Sequence, residues 1–450
     1  MEQHLFFQLL LFLLLLMTVC VSAMYPRTAR LGMVSKSMKN TDHFNYRPET
    51  YTTFQQRYLI NSAYWSGANS SSPIFVYTGD VASITGVATF AGFMVNLASR
   101  FKGLLLIRYY GESVPFGSKD IAFNNTNTLT YFSSTQALVD YAELLINLKK
   151  NLSAEYLIGA LASSAPVIYF DHITPQNGYD SIVTKDFRRD LLHHHKQSRF
   201  EIDQVAAKPN GLANLSQIFR TCEPLNSSQQ LKVSLEYTYQ GSAQQDNPPS
   251  HYVSDICNTR NGAPEGTSIL GRVAEGVSQC WTPCHRIYDF QPSNMDEWVW
   301  QTCTEMVMPF GRGDNDTMFQ ASPFNLNNYT KTCQNLFGVS VTPRPHWITT
   351  EFGGHDIKSV LGNFASNTIF SNGLRDPNIT LTRSNGVLHC RVLQDISESV
   401  VAVYTLKGAH CLDLRAPMPN DPDWLVAQRD KEIKIVALWL AEYNGKRLSN

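Results

Sequence analysis

The stretch Phe370–Pro377 reads FSNGLRDP, and the stretch Lys407–Arg415 reads KGAHCLDLR. Between them, Ser397–Leu406 is a run rich in apolar and β-branched residues (SESVVAVYTL), which predicts a buried strand. Asp376 therefore follows one apolar run, and His410 follows the next. Catalytic side chains of open α/β sheets collect at strand ends. An Asp and then a His, both late in the chain, also form the second and third parts of a Ser…Asp…His catalytic order.

That order requires an upstream serine on a sharp G-x-S-x-G turn, and this chain contains no such pattern. Ser113 stands in GESVP, which lacks the second glycine, and Ser153 belongs to a glycosylation sequon. Ser163 and Ser164 fall inside a predicted strand, where small side chains suit packing against a helix. Because none of these serines stands on a strand-to-helix elbow, we identify no nucleophile.

The overall composition argues against a nucleic-acid partner. The chain has 450 residues, enough for two or three domains and a sizeable core. Lys and Arg together number 37 against 38 for Asp and Glu, so the net charge is −1. Nothing in this balance favours binding to nucleic acid or to an anionic membrane surface.

The N-terminus carries a secretory pattern. Residues 5–19 (LFFQLLLFLLLLMTV) form an apolar run that is short for a bilayer span, and the small residues Val21-Ser22-Ala23 follow it. We interpret residues 1–23 as a signal peptide; the alternative is an uncleaved signal anchor. No later stretch is apolar for long enough to cross a membrane. The expected location is the secretory pathway, either extracellular or in a lysosome or vacuole.

Cysteines and sequons also favour an oxidising lumen. Nine cysteines are present, and loss of Cys20 with the signal peptide leaves an even number. An even number in a secreted chain predicts disulfide bonds, although eight cysteines allow about 105 pairings. N-glycosylation sequons begin at Asn69, Asn124, Asn151, Asn214, Asn315 and Asn328.

Short apolar runs alternate with helical patterns along the first third of the chain. The predicted strands are Thr53–Asn61, Pro73–Tyr77, Leu104–Ile107 and Tyr156–Val167. Residues 136–149 predict an amphipathic helix whose apolar face contains Leu138, Tyr141, Leu145 and Leu148. Strands that alternate with helices indicate a mostly parallel sheet.

The pattern changes after about residue 170. Residues 171–343 are helical and polar in character and carry most of the cysteines, which predicts an inserted second domain. We expect the sheet to resume at 344–354 (RPHWITTEFGG) and a closing amphipathic helix at 425–443. The predicted division is therefore a core in two parts, 24–170 and 344–450, with the insertion at 171–343.

Several longer motifs give this chain a family resemblance. It resembles the serine peptidase family of lysosomal prolyl (Pro-X) carboxypeptidase and dipeptidyl peptidase II, over nearly the whole mature chain. In addition to FSNGLRDP and GAHCLDLR, the resemblance rests on HFNYRPETYTTFQQRY (43–58), RYYGESVPFG (108–117), GALASSAPV (159–167), WQTCTEMVMPF (300–310) and PRPHWITTEFGG (343–354).

The resemblance implies an α/β-hydrolase core with a helical cap inserted before the Asp, and exopeptidase activity at proline. It makes Asp376 the acid and His410 the base of a catalytic triad. A histidine can accept a hydroxyl proton near neutral pH and return it to the leaving amine, while a carboxylate orients its ring. The substrate would be a peptide with proline near a terminus, and no cofactor or metal is implied. The plainer alternatives are an Asp that caps a turn and a structural His.

One departure from the family affects the expected chemistry. The family has a strand, a G-G-S-Y-G elbow and a helix before the GALASSAPV strand, whereas here NLSAE (151–155) runs directly into Tyr156. About twenty residues of strand, turn and helix are absent, which removes the nucleophile and part of the oxyanion hole. A parallel sheet without a central strand must re-pair or leave backbone groups unsatisfied. We therefore predict a chain that is inactive and unstable or misfolded.

Smaller departures and motifs complete the sequence picture. Residues 378–394 replace the family's Trp-Ser and glycines after Asp-Pro, which puts the proline specificity in doubt, and Cys411 stands where the family usually has His. The run 193–195 (HHH) cannot direct all three rings at one ion on a helix, so we predict no metal site. Arg312-Gly-Asp314 resembles an adhesion tripeptide but is more typical of a polar loop.

The sequence thus predicts a serine-type exopeptidase by descent that lacks its nucleophile in this form. The alternative is a non-catalytic relative that binds proline-containing peptides or a partner protein. Carboxypeptidases and dipeptidyl peptidases of this family share these motifs, so the end of the peptide that would be trimmed is left open. So are the disulfide pairing and the oligomeric state, with a homodimer among the options.

Overall fold

A computed structural model describes most of the chain. The described residues are 33–44, 52–67, 72–78, 91–101, 104–108, 113–123, 126–152, 159–164, 178–187, 189–280, 284–285, 287, 297–313, 317–380 and 396–448. The predicted signal peptide (1–23) and three of the sequon asparagines named above (Asn69, Asn124 and Asn315) lie outside these ranges.

The described strands form two separate sheets. They are β1 (Met33–Asn40), β2 (Thr53–Asn61), β3 (Ile74–Tyr77), β4 (Leu104–Arg108), β5 (Ala160–Ser163), β6 (Thr368–Gly373) and β7 (Val400–Thr405). The first sheet has the order β1-β2-β4-β3, with β3 parallel to β4 and the other pairs antiparallel. The second has the order β5-β6-β7 and is entirely parallel. Helices combined with parallel strands make this an α/β arrangement, as predicted.

Helices account for most of the remaining described structure. They are α1 (Gly92–Phe101), α2 (Lys119–Ala122), α3 (Thr126–Leu129), α4 (Ser134–Leu152), α5 (Gly178–Asp186), α6 (Arg189–Ala206), α7 (Gly211–Ile218), α8 (Ser228–Gln244), α9 (Tyr252–Asn261), α10 (Ile269–Ser278), α11 (Glu297–Thr304), α12 (Leu326–Phe337), α13 (Trp347–Glu351), α14 (Ile357–Phe364) and α15 (Asp423–Leu448). No described helix combines the length and the apolar composition that crossing a bilayer requires.

Helices α5–α10 enclose a hydrophobic core of their own. Its largest fully buried side chains include Phe187, Ile202, Leu215 and Tyr239. Two disulfides staple the helical stretch, Cys222–Cys284 and Cys303–Cys333, which agrees with the prediction of disulfide bonds. The domain division at 171 and 343 stays a prediction.

Side chains from the His run at 193–195 and from the Arg-Gly-Asp tripeptide are buried against this core. His195 is buried, its Nδ1 lies 3.0 Å from the Met318 carbonyl, and its ring packs edge-on against Tyr239 and Phe319. Arg312, from the Arg-Gly-Asp tripeptide, is also buried. Its guanidinium forms ion pairs with Asp180 at 3.1 Å and with Glu236 at 2.7 Å. This Arg side chain therefore serves the interior rather than an exposed recognition loop.

The helix α4 confirms the predicted element and the C-terminal part of its predicted apolar face. Leu148 is buried and Leu145 packs beside it, but Leu138 is 51% exposed. At that end of the helix the buried positions are Gln136 and Asp140, because they bond the segment before β2. The Gln136 carboxamide oxygen accepts from the His43 amide at 2.9 Å, and Asp140 lies 2.9 Å from the His43 ring. Hydrophobic periodicity alone therefore misplaced the first turns of the face.

The expected strand at 344–354 was wrong. This stretch forms α13 and a short 3-10 helix, Gly354–Asp356, and the sheet resumes only at β6. The β-branched residues imitate a strand pattern, but the turn that leads into α13 is closed by Arg344, whose guanidinium lies 3.9 Å from the Trp347 ring centre. The Thr350 amide then donates to the His346 carbonyl at 2.9 Å, which begins a helical turn.

The closing helix α15 was predicted correctly and covers the second sheet. Trp439 on this helix forms a buried cluster with Ile369 of β6 and Val403 of β7. The same indole ring fills the space beside Gly159, because a Cβ added to this glycine would lie only 2.7 Å from the ring. α15 therefore supports the strands whose ends carry the candidate site.

We expect Trp439→Ala to lower the free energy of unfolding by about 3–5 kcal/mol, because it leaves a cavity between α15 and the sheet. Leu438→Ala is the matched control, since Leu438 is 63% exposed whereas Trp439 is 8% exposed. The control should change the free energy by less than about 0.5 kcal/mol. Urea denaturation of both variants checks this, and equal losses would contradict the packing described.

Candidate active site

The loops after β6 and β7 bring Asp376 and His410 together. Both strands are parallel neighbours, so their carboxyl ends lie at the same edge of the sheet. Gly373 at the end of β6 allows the loops to approach, because a Cβ there would come within 2.1 Å of the Gly408 carbonyl oxygen. The Arg375 amide donates to that oxygen at 2.9 Å and joins the two loops.

The resulting pair has the geometry of a histidine oriented by a carboxylate. His410 Nδ1 lies 2.8 Å from Asp376 Oδ2. The Asp376 side chain is 1% exposed and the His410 side chain 15% exposed, so the carboxylate is buried while the ring keeps some access to solvent. The catalytic roles of these two residues stay predictions, but the structure brings them into direct contact.

Asp376 also caps a turn with its second oxygen. Oδ1 accepts from the Asn378 backbone amide at 2.9 Å and from the Asn378 carboxamide at 3.3 Å. The carboxamide nitrogen lies 3.4 Å from His410 Nδ1 as well. The turn-capping alternative is therefore realised alongside the contact with His410, because the two oxygens of one carboxylate serve different partners.

Gln244 of α8 and the nearby Asn247 fix the backbone around His410 by hydrogen bonds. The His410 amide donates to the Gln244 carbonyl of α8 at 3.1 Å. Asn247 receives the Ala409 amide at 2.8 Å and donates its own carboxamide to the His410 carbonyl at 2.6 Å. These bonds place the ring by clamping the main chain on both sides of it.

An arginine next to Asp376 ties the same two regions together. The Arg375 guanidinium pairs with Asp186 at the end of α5 at 3.1 Å and with Asp246 just after α8 at 2.5 Å. Both carboxylates are buried, so each charge is compensated by the same cation. The loop that carries Asp376 is thereby anchored to the insertion.

The electrostatic surroundings favour the protonated form of His410. Burial lowers the pKa of His410, but its surroundings, with the Asp376 carboxylate first among them, raise it by more, to well above the ordinary value of 6.5. The Asp376 carboxylate also hydrogen-bonds the imidazole. The ring is therefore held as an imidazolium near neutral pH.

Two residues of the described chain lie within hydrogen-bonding distance of the His410 ring, namely Asp376 and Asn378. Neither of them is a serine. Each described serine weighed as a nucleophile has another partner. Ser113 accepts from the Arg57 amide at 2.9 Å, Ser163 donates to Asp413, and Ser164 accepts from the Cys411 amide at 2.7 Å. Ser153 lies outside the described residues.

Ser164 departs from the prediction that placed it inside a strand. β5 ends at Ser163, and Ser164 has a φ of +50°, in the left-handed region that residues with a side chain rarely adopt. Its amide donates to the Ser371 carbonyl of β6 at 2.8 Å. The hydroxyl is therefore at the same sheet edge as His410, but it supports the backbone of the next residue.

A buried polar cluster lies beneath this edge. The Ser371 hydroxyl of β6 contacts Asp413 and lies 2.8 Å from Glu432 of α15 and 2.8 Å from the Gln428 carboxamide. Burial raises the pKa of Glu432 well above its ordinary value of 4.5, and the neighbouring Asp413 carboxylate raises it further. Glu432 therefore keeps its proton and can bridge to Asp413, which links α15 to the loop that carries His410.

A separate cavity lies in the first part of the chain. Apolar side chains of Phe54, Leu129 and Phe132 line it, together with the polar groups of His43 and Asp140. Neither Asp376 nor His410 lines this cavity.

Sequence reasoning identified the two charged members of the site but missed their supports. Sequence reasoning gave Asn378, Asn247, Arg375 and Ser164 no role in the site. Two of them are local to Asp376: Arg375 directly precedes it, and Asn378 follows it at the spacing of an Asx-turn. Asn247 and Ser164 lie far away in the sequence, so only the fold brings them to the loop that carries His410.

The comparisons with known proteins agree with the resemblance. The model of the family described as serine carboxypeptidase S28 matches two stretches of the chain, 39–156 and 149–432. Lysosomal Pro-X carboxypeptidase of Mus musculus is 32% identical over 469 aligned positions, which cover 93% of this chain and 91% of the relative.

More distant relatives show the same extended match. Lysosomal Pro-X carboxypeptidase of Homo sapiens is 31% identical over 93% of this chain and 90% of its own length. Prolyl carboxy peptidase like protein 5 of Caenorhabditis elegans is 27% identical and covers 86% of each chain. The similarity therefore extends through both the core and the helical stretch.

We expect the buried carboxyl of Glu432 to make the protein more stable in acid. Because the folded-state pKa lies above the ordinary value, its contribution is complete below pH 4.5 and is lost as the pH rises through the folded-state pKa. Between pH 4.5 and the folded-state pKa, the free energy of unfolding should fall by about 1.4 kcal/mol per pH unit. Glu432→Gln, which stays neutral, should flatten this dependence.

The control variant is Glu442→Gln on the exposed side of the same helix. Urea denaturation at several pH values between 4.5 and 8 compares the wild type with both variants. A Glu432→Gln protein with the wild-type pH dependence would disprove the assignment to Glu432.

Proposed function

Because this chain belongs to the serine carboxypeptidase S28 family of serine peptidases, we propose that it descends from an exopeptidase that cleaves peptides near proline. The observation that carries this proposal is the hydrogen bond of 2.8 Å between Asp376 and His410 at the carboxyl edge of parallel strands. Asp376 would be the triad acid and His410 the base. The substrate class follows from the Pro-X carboxypeptidases that the chain resembles.

In this form the proposed activity is absent, because the nucleophile segment is missing. Three observations support this inference. The family match divides into two stretches that meet at 149–156, where the sequence lacks the strand, elbow and helix. The described strands form two sheets rather than one continuous sheet. No described serine contacts the His410 ring.

The position of the break supports the same inference. β3 is the edge of the first sheet and β5 the edge of the second, and the absent segment would precede β5 in the chain. A strand inserted there could pair with both edges and join the sheets, since each edge has backbone groups on its open side. The loss therefore has a cost in stability as well as in chemistry.

The chemical cost is large. Without the serine there is no hydroxyl for His410 to activate, and the amide that follows it is lost from the oxyanion hole. Removing a triad nucleophile lowers the rate by about a million-fold in the best-studied serine peptidase series. Water activated by His410 would not replace it, because the imidazole holds its proton near neutral pH.

A second candidate function is binding without catalysis. The hydrogen bonds and ion pairs around the candidate site are formed in this chain. Asn247 bonds the loop that carries His410, and Arg375, in the loop that carries Asp376, pairs with Asp246 after α8. This edge of the sheet, without a nucleophile, could retain a peptide with proline near a terminus. A fluorophosphonate probe tests for residual catalysis, because only an activated serine forms a covalent adduct with it, whereas a measurement of peptide binding tests this second function.

The proposed location is the secretory pathway, with the lysosome as its end point. Two disulfides are consistent with an oxidising compartment, and the Mus musculus and Homo sapiens relatives are named as lysosomal. The signal peptide predicted at 1–23 would direct the chain there, and the sequons predict glycosylation.

We expect activity to return when the missing segment is restored. The segment of mouse lysosomal Pro-X carboxypeptidase that aligns opposite residues 149–156 is inserted there, and hydrolysis of a proline-containing peptide is measured. The restored chain should gain about a million-fold in rate and label with fluorophosphonate, and thermal melting should move upward. The wild-type chain should show neither hydrolysis nor labelling.

The matched control is the same insertion with its elbow serine changed to Ala. That control should regain the stability but not the activity, which separates the folding effect from the chemical one. Asp376→Asn and His410→Asn in the restored chain should each lower its rate by several orders of magnitude. Labelling of the wild-type chain would instead reveal an activated serine and overturn the proposal of inactivity.

A further inference from the structure

The cavity in the first part of the chain is a concave site that the peptidase chemistry does not use. It contains about 840 Å³ of empty space, including the part that is open to solvent, which leaves room for a small molecule with an aromatic ring. Strand β2, helices α2–α4 and the turn at 113–115 contribute to its lining. Small-molecule sites in proteins are mostly apolar concavities with a few polar groups at fixed positions.

Much of this lining is aromatic. Phe54 of β2, Phe123 just after α2 and Phe132 just before α4 line the cavity, together with Leu129 of α3. Each of these three phenylalanines is only half-buried, so part of its surface is not covered by protein. An apolar ligand that covers this surface would remove it from water, which favours binding.

The polar part of the lining is acidic. His43 Nε2 lies 2.9 Å from Asp140 Oδ1, and His43 Nδ1 lies 3.3 Å from Glu143 Oε1. Two carboxylates therefore share one imidazole, which can carry at most one positive charge. Among the described residues that line the cavity there is no Lys or Arg. This arrangement favours a cationic ligand over an anionic one.

A buried carboxamide adds an acceptor that has no donor. Gln56 lines the cavity from β2, and this residue is 7% exposed. Its Nε2 donates to Asp140 Oδ2 at 3.4 Å, so the carboxamide oxygen is turned away from that carboxylate. No group in the described part of the chain donates to Gln56 Oε1. Because a buried acceptor without a donor is costly, a ligand that supplies an N–H would form a hydrogen bond that the protein alone does not make.

We propose that this cavity binds a small aromatic amine in its ammonium form. The aromatic ring of the ligand covers the phenylalanine side chains. The ammonium group donates to Gln56 Oε1 and is attracted by the carboxylates of Asp140 and Glu143. The proposal does not depend on the proposed peptidase function, because neither Asp376 nor His410 lines the cavity.

The test measures the binding of 2-phenylethylamine to the full chain by isothermal titration calorimetry at neutral pH. The matched ligand is 3-phenylpropionate, which has the same ring and a similar length but carries a negative charge. We expect the Kd of the amine to be lower than that of the acid by about tenfold or more. The acid would place a like charge beside two carboxylates and would leave Gln56 Oε1 without a donor.

Variants locate the bound amine. Ala137→Phe should abolish binding, because Ala137 of α4 lines the cavity and the added ring would fill it. Ala142→Phe is the matched control and should bind as the wild type does, since Ala142 is an exposed residue of the same helix that does not line the cavity. Gln56→Leu has a side chain of similar size without the acceptor. It should raise the Kd of the amine by about tenfold and leave the Kd of the acid unchanged.

Several outcomes would overturn the proposal. Equal affinity for the two ligands, or no detectable binding of the amine, would show that the cavity does not select an aromatic cation. Binding of the amine that persists in a folded Ala137→Phe chain would place the ligand elsewhere. Thermal melting of each variant establishes whether it folds. If Ala137→Phe does not fold, the comparison of the two ligands on the wild type and on Gln56→Leu decides the matter.

Discussion

The parallel pairing of β6 with β7 is the constraint on which the candidate site depends. Residue-by-residue pairing from Thr368 with Val400 to Gly373 with Thr405 ends both strands at the same edge. The loops that follow must then share one small space, and Gly373 makes this feasible by leaving room for the Gly408 carbonyl. The contact between Asp376 and His410 is a consequence of that register rather than an independent feature.

A second set of interactions joins this edge to the rest of the molecule. Arg375 and Asn247 attach the loops to the helical insertion, while Glu432 and Ser371 attach the strand ends to α15 from beneath. These groups are buried, and buried polar groups are stable only when each has a partner. The same bonds that satisfy them therefore also restrict the position of His410.

The division of the sheet explains how a site can be partly complete. Asp376 and His410 follow β6 and β7, which pair with each other. In our proposal the nucleophile belongs to a different strand, so its loss would leave these two residues in contact. The consequence for the backbone would then fall on β3 and β5, which are edges of separate sheets among the described strands. Such edges are sites where a chain tends to pair with another copy.

Local patterns in the sequence were sufficient to predict the described strands apart from the first, the closing helix and the pair formed by Asp376 and His410. These depend on hydrophobic runs and short motifs, which are properties of neighbouring residues. The helix at Trp347–Glu351 was missed because its β-branched residues imitate a strand pattern. The exposure of Leu138 and the left-handed backbone of Ser164 and Cys411 could not be predicted from local patterns either. They are decided by contacts between segments far apart in the chain, and such contacts exist only once the tertiary structure has formed.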